Sequence, residues 1–166
     1  MLNRRAFTAG LGAALAVAAV APALAQDVAG RFAGILVDVR PLEAKGLGPF
    51  AGTIRSALQT ELGRAYADRL GAGRGASRLV VRIDGISLRA YSGPDGGRSF
   101  GGGTNNDYLE GEALVIAPDG RILLRHPQLS ALPANSGGAW YDPNSEQRRI
   151  HALAAHYAGW LRRSSI

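Results

Sequence analysis

Two apolar stripes with helical spacing bracket a block of alternating strands, and this arrangement constrains the fold more than any other feature of the chain. Phe50, Ile54, Leu58, Leu62 and Ala65 recur every three or four residues, the signature of an amphipathic helix. The spacing predicts a helix of about 20 residues between Phe50 and Leu70. Gly48-Pro49 opens it, with Pro at the first helical position, where its missing N–H costs nothing. Gly71 and Gly73 stop it. Near the other end of the chain, Ile150, Leu153, Ala154, Tyr157 and Leu161 form a second stripe, with Arg148, Ala152, Ala155 and Gly159 opposite. That helix starts near Asp142-Pro143-Asn144-Ser145: either Asp142 caps it with Pro143 in the first turn, or Asn144 caps it with Gln147 three residues on. Arg162 and Arg163 fall in its last turn, where positive charge suits the helix dipole.

The segments around these helices alternate with a period of two. Ile35, Val37 and Val39 share one face of a strand that Pro41 ends, and Leu42–Leu47 reads as a loop. In Arg78–Tyr91 the apolar positions are Leu79, Val81 and Ile83, then Ile86, Leu88 and Ala90, so the phase slips by one residue near Gly85. A slip of one would turn every later side chain to the wrong face; a bulge at the glycine restores the phase. Ser92–Asn106 is rich in Gly and polar residues and reads as a mobile loop with too little to bury. Asp107–Ala117 and Arg121–Arg125 are joined by Pro118-Asp119-Gly120, a hairpin signal. Leu109, Gly111, Ala113 and Val115 share one face of the first; Tyr108, Glu110, Glu112, Leu114 and Ile116 share the other. Pro127 is expected to end the fourth strand, leaving Gln128–Ala139 as a loop. The order β-α-β-β-β-α predicts an α+β fold: a two-layer sandwich with a four-stranded, mostly antiparallel sheet and both helices on one face.

Residues 1–25 read as a signal peptide. Arg4 and Arg5 precede an apolar, Ala- and Gly-rich run from Ala6 to Ala25 that closes on Ala23-Leu24-Ala25, a small-x-small cleavage signal. Cleavage after Ala25 leaves Gln26 first and residues 26–166 as a single domain, about the size that builds one core. The arginine pair followed by Ala6 and Phe7 resembles the twin-arginine export motif, although Asn3 stands where Ser or Thr is usual. The expected location is the periplasm. No second stretch of the mature chain approaches 18 apolar residues, so no transmembrane segment is expected there.

Beyond the signal, 17 basic residues stand against 13 acidic ones, and 18 of the 19 basic residues of the whole chain are Arg. An Arg excess suits phosphate or carboxylate partners, and it also accompanies Ala and Gly in G+C-rich coding. Nucleic acid is not an expected partner, because there is no basic run and no recognition motif. There is no cysteine. The domain must therefore hold together by burial alone, and thiolate catalysis, iron–sulfur clusters and Cys-ligated zinc are ruled out.

The remaining chemistry is sparse. His151 and His156 lie five residues apart on one helix, about 140° around its axis, so they do not form the i, i+4 pair of a helical zinc site. His126 precedes Pro127 at a strand end. No metal or cofactor is expected. There is no G-x-S-x-G elbow for a serine nucleophile, and the glycines of 93–103 are followed by no G-K-[ST] and no helix. Glu110 and Glu112 point the same way from one strand, with Asp107 close by. They could serve a paired-carboxylate hydrolase, or they could form an ordinary solvated face paired with Arg on neighbouring strands. Trp140-Tyr141 follows Ser136-Gly137-Gly138 and reads either as a sugar or peptide contact or as a plug at the start of the last helix.

The order strand-helix-strand-strand-strand-helix in a small exported chain resembles the periplasmic α/β sandwich of the lipopolysaccharide-assembly lipoprotein family, the plug of the outer-membrane lipopolysaccharide translocon. It is equally similar to other envelope lipoproteins of that shape. The resemblance covers roughly 30–165 and rests on element order, so it implies a fold and an envelope setting but assigns no residue a role. Those families are lipid-anchored through a Cys, which this chain lacks. Two functions remain open. The first is a non-catalytic envelope-associated binding or accessory protein, taking an envelope protein or an anionic glycolipid, with Tyr108, Glu110, Glu112, Trp140 and Tyr141 as candidate binding residues. The alternative is a small periplasmic hydrolase built on Glu110 and Glu112.

Overall fold

The computed structural model describes residues 30–73, 75–89, 106–139, 141–164 and 166. The elements are β1 (Gly34–Asp38), α1 (Arg40–Ala44), α2 (Gly48–Ala65), β2 (Arg78–Ser87), β3 (Asn106–Ile116), β4 (Ile122–Pro133) and α3 (Ser145–Arg163), with 3₁₀ turns at Ala67–Arg69 and Ala134–Gly137. The strands form one sheet in the order β1-β2-β3-β4. β1 runs parallel to β2, and the other two pairs are antiparallel. This is the expected α+β sandwich with a mixed, mostly antiparallel sheet.

Burial explains why both long helices choose the same face. Ile54, Leu58 and Leu62 of α2 and Leu153, Tyr157 and Leu161 of α3 lie in one core with Val37, Leu79, Val81, Ile83, Leu109, Ala113 and Val115 of the sheet. Each stripe is too apolar for water, and one shared core removes both from it. Among the described residues no helix packs on the opposite face of the sheet.

The expected bulge lies in β2. Ile83 pairs with Gly111 and Gly85 with Glu110, so Asp84 is the extra residue. The phase change puts Ile86 and Leu88 against the core, as Ile83 is. Gly111 is fixed by this irregularity. A Cβ there would stand 2.2 Å from the carbonyl oxygen of Arg82, so only a residue without a side chain lets β3 approach the bulged strand.

Three element boundaries differ from expectation. Leu42–Leu47, expected as a loop, contributes to α1, because Pro41 sits in the first turn of a short helix and buries Leu42. α2 ends at Ala65, and Leu70 instead bridges Phe32. β4 runs through Pro127 to Pro133, so most of the expected loop at Gln128–Ala139 is strand. β4 is an edge strand, and an edge strand carries proline when the ring nitrogen faces away from the ladder. The start of α3 at Ser145, with Asn144 at the N-cap position, is the second of the two expected starts. Asn144 makes no side-chain cap; the Asp142 carboxylate accepts from the Asn144 backbone N–H at 2.9 Å. The glycine-rich segment expected as a mobile loop lies outside the described residues except for Asn106, which opens β3.

Candidate functional site

Alternation along β3 decides where the acidic residues go. Odd positions from Asp107 to Val115 face the helices; even positions face the bare side of the sheet. Glu110 and Glu112 are therefore on the bare face, as expected. Asp107, expected close by, is on the other side and buried. Its carboxylate accepts from Arg149 Nε at 2.7 Å and from Arg149 Nη2. The side chains of Arg149 and Asp107 are only 6% and 3% exposed. Arg149 also donates to the Arg89 carbonyl at 2.8 Å, and the Arg89 N–H donates to Asp107 at 2.9 Å. Asp107 thus fastens α3 to the ends of β2 and β3 and is withdrawn from any chemistry on the bare face.

Glu112 is engaged as well. Arg82 Nη1 approaches its Oε1 at 3.0 Å, and Arg125 Nη1 lies 3.1 Å from the same oxygen and 3.4 Å from Oε2. The register makes this inevitable: Arg82, Glu112 and Pro127 share one row, with Arg125 two residues before Pro127. Arg82 also holds Asp84 at 3.0 Å, and Lys45 Nζ donates to the Asp84 carbonyl at 2.6 Å. At the outer end of that row, Asp38 pairs with Arg40. The Arg40 guanidinium holds the Asp38 carboxyl below the usual carboxylate range, partly opposed by burial. Glu110 is exposed and has no ion-pair partner among the described residues. A carboxylate clamped by two guanidiniums beside an open, water-facing one is the pattern of a solvated strand face more than of an acid and base sharing a cleft.

Apolar side chains flank these charges. Leu36 in β1 is 55% exposed, Leu129 in β4 is 63% exposed, and Ile122 and Leu123 are half-exposed. Val80 is partly buried and Leu114 nearly covered. The face therefore has three zones. An apolar zone (Leu36, Val80, Leu114, Ile116, Ile122) lies nearest the start of β1. A charged row crosses the middle. At the far end Glu110 sits opposite Leu129, and Tyr108 opposite Ala131. Tyr141, 77% exposed, follows the 3₁₀ turn that continues from β4 at that same far end. The structure thus brings Tyr108 and Glu110 to one end of the bare face, and Tyr141 lies on the segment leading from that end into α3. Trp140 lies outside the described residues.

Arg149 is the residue that sequence reasoning missed: it falls on the helix beside the buried stripe, where only its place next to Ile150 hinted at burial. Arg148 is also more than a solvated side chain, donating to the Gly137 carbonyl at 2.7 Å and pairing with Asp142 at 2.9 Å. These contacts bind the segment before α3 to its first turn.

Among the histidines, His156 is held by its own helix. Its Nε2 accepts from Trp160 Nε1 at 2.9 Å, Arg163 stacks 4.6 Å over the Trp160 ring, and burial with the Arg163 charge lowers its pKa. Among the described residues no three His, Asp or Glu side chains converge on a point that could hold a metal ion, and no helix is long and apolar enough to cross a membrane. A shallow depression of about 420 Å³ lies over the outer side of α2, lined by Gly52, Arg55, Ser56, Gln59 and Thr60, away from every candidate residue. The sequence matches no known protein-family model and no curated protein.

Proposed function

We propose that this is an exported, non-catalytic binding or accessory domain of the bacterial cell envelope, which takes an envelope protein or an anionic glycolipid on the bare face of its sheet at the Tyr108–Leu129 end. The observation that carries the reading is that bare face. Both helices cover the other side, while Leu36 and Leu129 stand more than half exposed in water, and exposed apolar sheet surface is characteristic of interfaces. Tyr108 and Glu110 share one end of it, with the exposed Tyr141 on the segment that continues from β4 at that end, an aromatic and polar edge for such a partner. The Arg4-Arg5 signal sequence supports export to the periplasm, and the basic balance of the mature chain favours an anionic partner. The hydrolase alternative has less behind it, since Glu112 is occupied by Arg82 and Arg125 and Asp107 is committed to Arg149.

Site-directed photo-crosslinking in the living cell tests this. A photoreactive residue at Tyr108, Leu129 or Tyr141 should give discrete envelope adducts, and one at Gln59 on the outer side of α2 should not. Adducts from Gln59 alone, or none from Tyr108, Leu129 and Tyr141, would overturn the proposal.

A further inference from the structure

The bare face is self-complementary about an axis parallel to its strands, and we infer that its apolar zone and charged row pair with a second copy of the same chain. The argument starts from the rows that the register sets. One row is Leu36, Val80, Leu114 and Arg125; the next is Asp38, Arg82, Glu112 and Pro127. Rotation by 180° about a line midway between β2 and β3 lays β2 over β3 of the second copy and β1 over its β4. Each row then meets itself reversed. Val80 lies opposite Leu114, and Leu114 opposite Val80. Arg82 lies opposite Glu112 of the second copy, and Glu112 opposite its Arg82. Leu36 passes over the zone of Ile122 and Arg125, so that exposed apolar side chains on the outer strands cover one another, and Arg125 comes beside Asp38.

No like charges meet in these two rows. Rotation about an axis perpendicular to the strands would instead set the apolar row on the charged one. Charge and apolarity thus select one arrangement, with the two sheets aligned as in sheet-on-sheet packing and a closed two-fold assembly. Pairing through the free edge of β4 is the less suitable route, because Pro127 and Pro133 supply no N–H to a neighbouring strand.

The size of the contact sets the strength expected. With strands about 4.8 Å apart and about 3.3 Å per residue, the overlapping strands cover about 500 Å² of each copy. A total of about 1,000 Å² is at the small end for specific association, so a dissociation constant on the order of 10 μM is expected. Because β1 stops at Asp38, the dimer would leave Leu129 at the far end uncovered, while Gly85 and Ser87 of each copy come over Glu110 and Tyr108 of the other. This inference does not depend on the envelope partner.

Sedimentation velocity on the full chain, from low micromolar to several hundred micromolar, reads it directly. The native protein should pass from monomer to dimer over that range. Arg82→Glu and Glu112→Arg should each weaken self-association at least about tenfold, because each sets like charges across the axis. Mixed in equal amounts, the two variants should associate again, since every acidic side chain then faces a basic one. A purely internal role for the Arg82–Glu112 pair would not produce rescue on mixing. Should either variant fail to fold, Leu36→Arg, at an exposed position, should also leave a monomer. A native protein that stays monomeric throughout, single variants that dimerise like the native chain, or a mixture that remains monomeric would each overturn the inference.

Discussion

Arg149 in α3 and Asp107 in β3 form a buried, two-pronged ion pair across the helix–sheet interface, closed by the backbone of Arg89. The pair sits where β2 ends, β3 begins and α3 begins, so three elements depend on one geometry. Removing one partner leaves the other charge buried and unpaired. Asp107→Asn or Arg149→Met should therefore cost about 3–5 kcal/mol, while replacing both with apolar residues should cost clearly less than the sum. Urea denaturation of the two single variants and the double variant checks this. Equal and additive small losses would show that the pair contributes little.

Gly111 and Gly85 face each other's strands across the bulge but should respond differently to a methyl group. A Cβ at Gly111 collides with the Arg82 carbonyl, whereas at Gly85 the nearest atom is Glu110 Oε2 at 3.4 Å, the far end of a flexible side chain. Gly111→Ala should lower stability by about 2 kcal/mol or more, comparable to other overpacking changes, and Gly85→Ala by well under half of that. Thermal unfolding of the two variants gives the comparison directly; the reverse order would mean the bulge is placed wrongly.

The His156 pKa lies below its usual value because of burial and the nearby Arg163 charge. The unfolded chain therefore takes up the proton more readily than the folded one. Stability from the neutral ring is fully present above the unfolded pKa of about 6.5 and is lost as pH falls toward the lower folded value. Protonation also removes the Nε2 lone pair that accepts from Trp160. Trp160 fluorescence should change over the same acidic interval, and His156→Gln should flatten both the fluorescence change and that part of the stability profile. An unchanged profile in the variant would assign the acid sensitivity to the carboxylates, Asp38 and Asp142 included, whose arginine and backbone partners hold them low.

Export is tested separately from the fold. The mature protein should begin at Gln26, as N-terminal sequencing of periplasmic material would show. The paired change Arg4→Lys with Arg5→Lys should block export if the twin-arginine route is used; normal export of that variant would leave only a general secretory signal.

Most of the architecture was legible because burial writes a period into the sequence. The stripes at Ile54–Leu62 and Leu153–Leu161 and the phase slip at Gly85 each report a side chain's distance from one core, and all three reappear in the structure. What periodicity could not convey was lateral position in the sheet. Pro127 reads as a strand terminator unless one knows that β4 lies at an edge, and Pro41 reads as a stop unless one knows that a helical turn follows at once. The candidate site was half legible. Alternation put Glu110 and Glu112 on a common face, but Asp107, read as close by them, turned to the helix side, and the commitment of Glu112 to two arginines depends on the register between three strands. Arg149 illustrates the same limit, for nothing local distinguishes a guanidinium that will be buried from its neighbour Arg148, which stays half in water.

The parallel pairing of β1 with β2 carries a consequence for the order of assembly. β3 and β4 meet through a tight turn at Ala117–Arg121, so their ladder closes a short loop, whereas Gly34 must find Arg78 across α1 and α2. Closing the longer loop costs more chain entropy and waits for the helices to form. The first strand in the sequence is thus the last to be installed and the first to be released. Amide exchange should accordingly be faster at Leu36 than at Val115, with β1 peeling away while the β3–β4 hairpin stays closed.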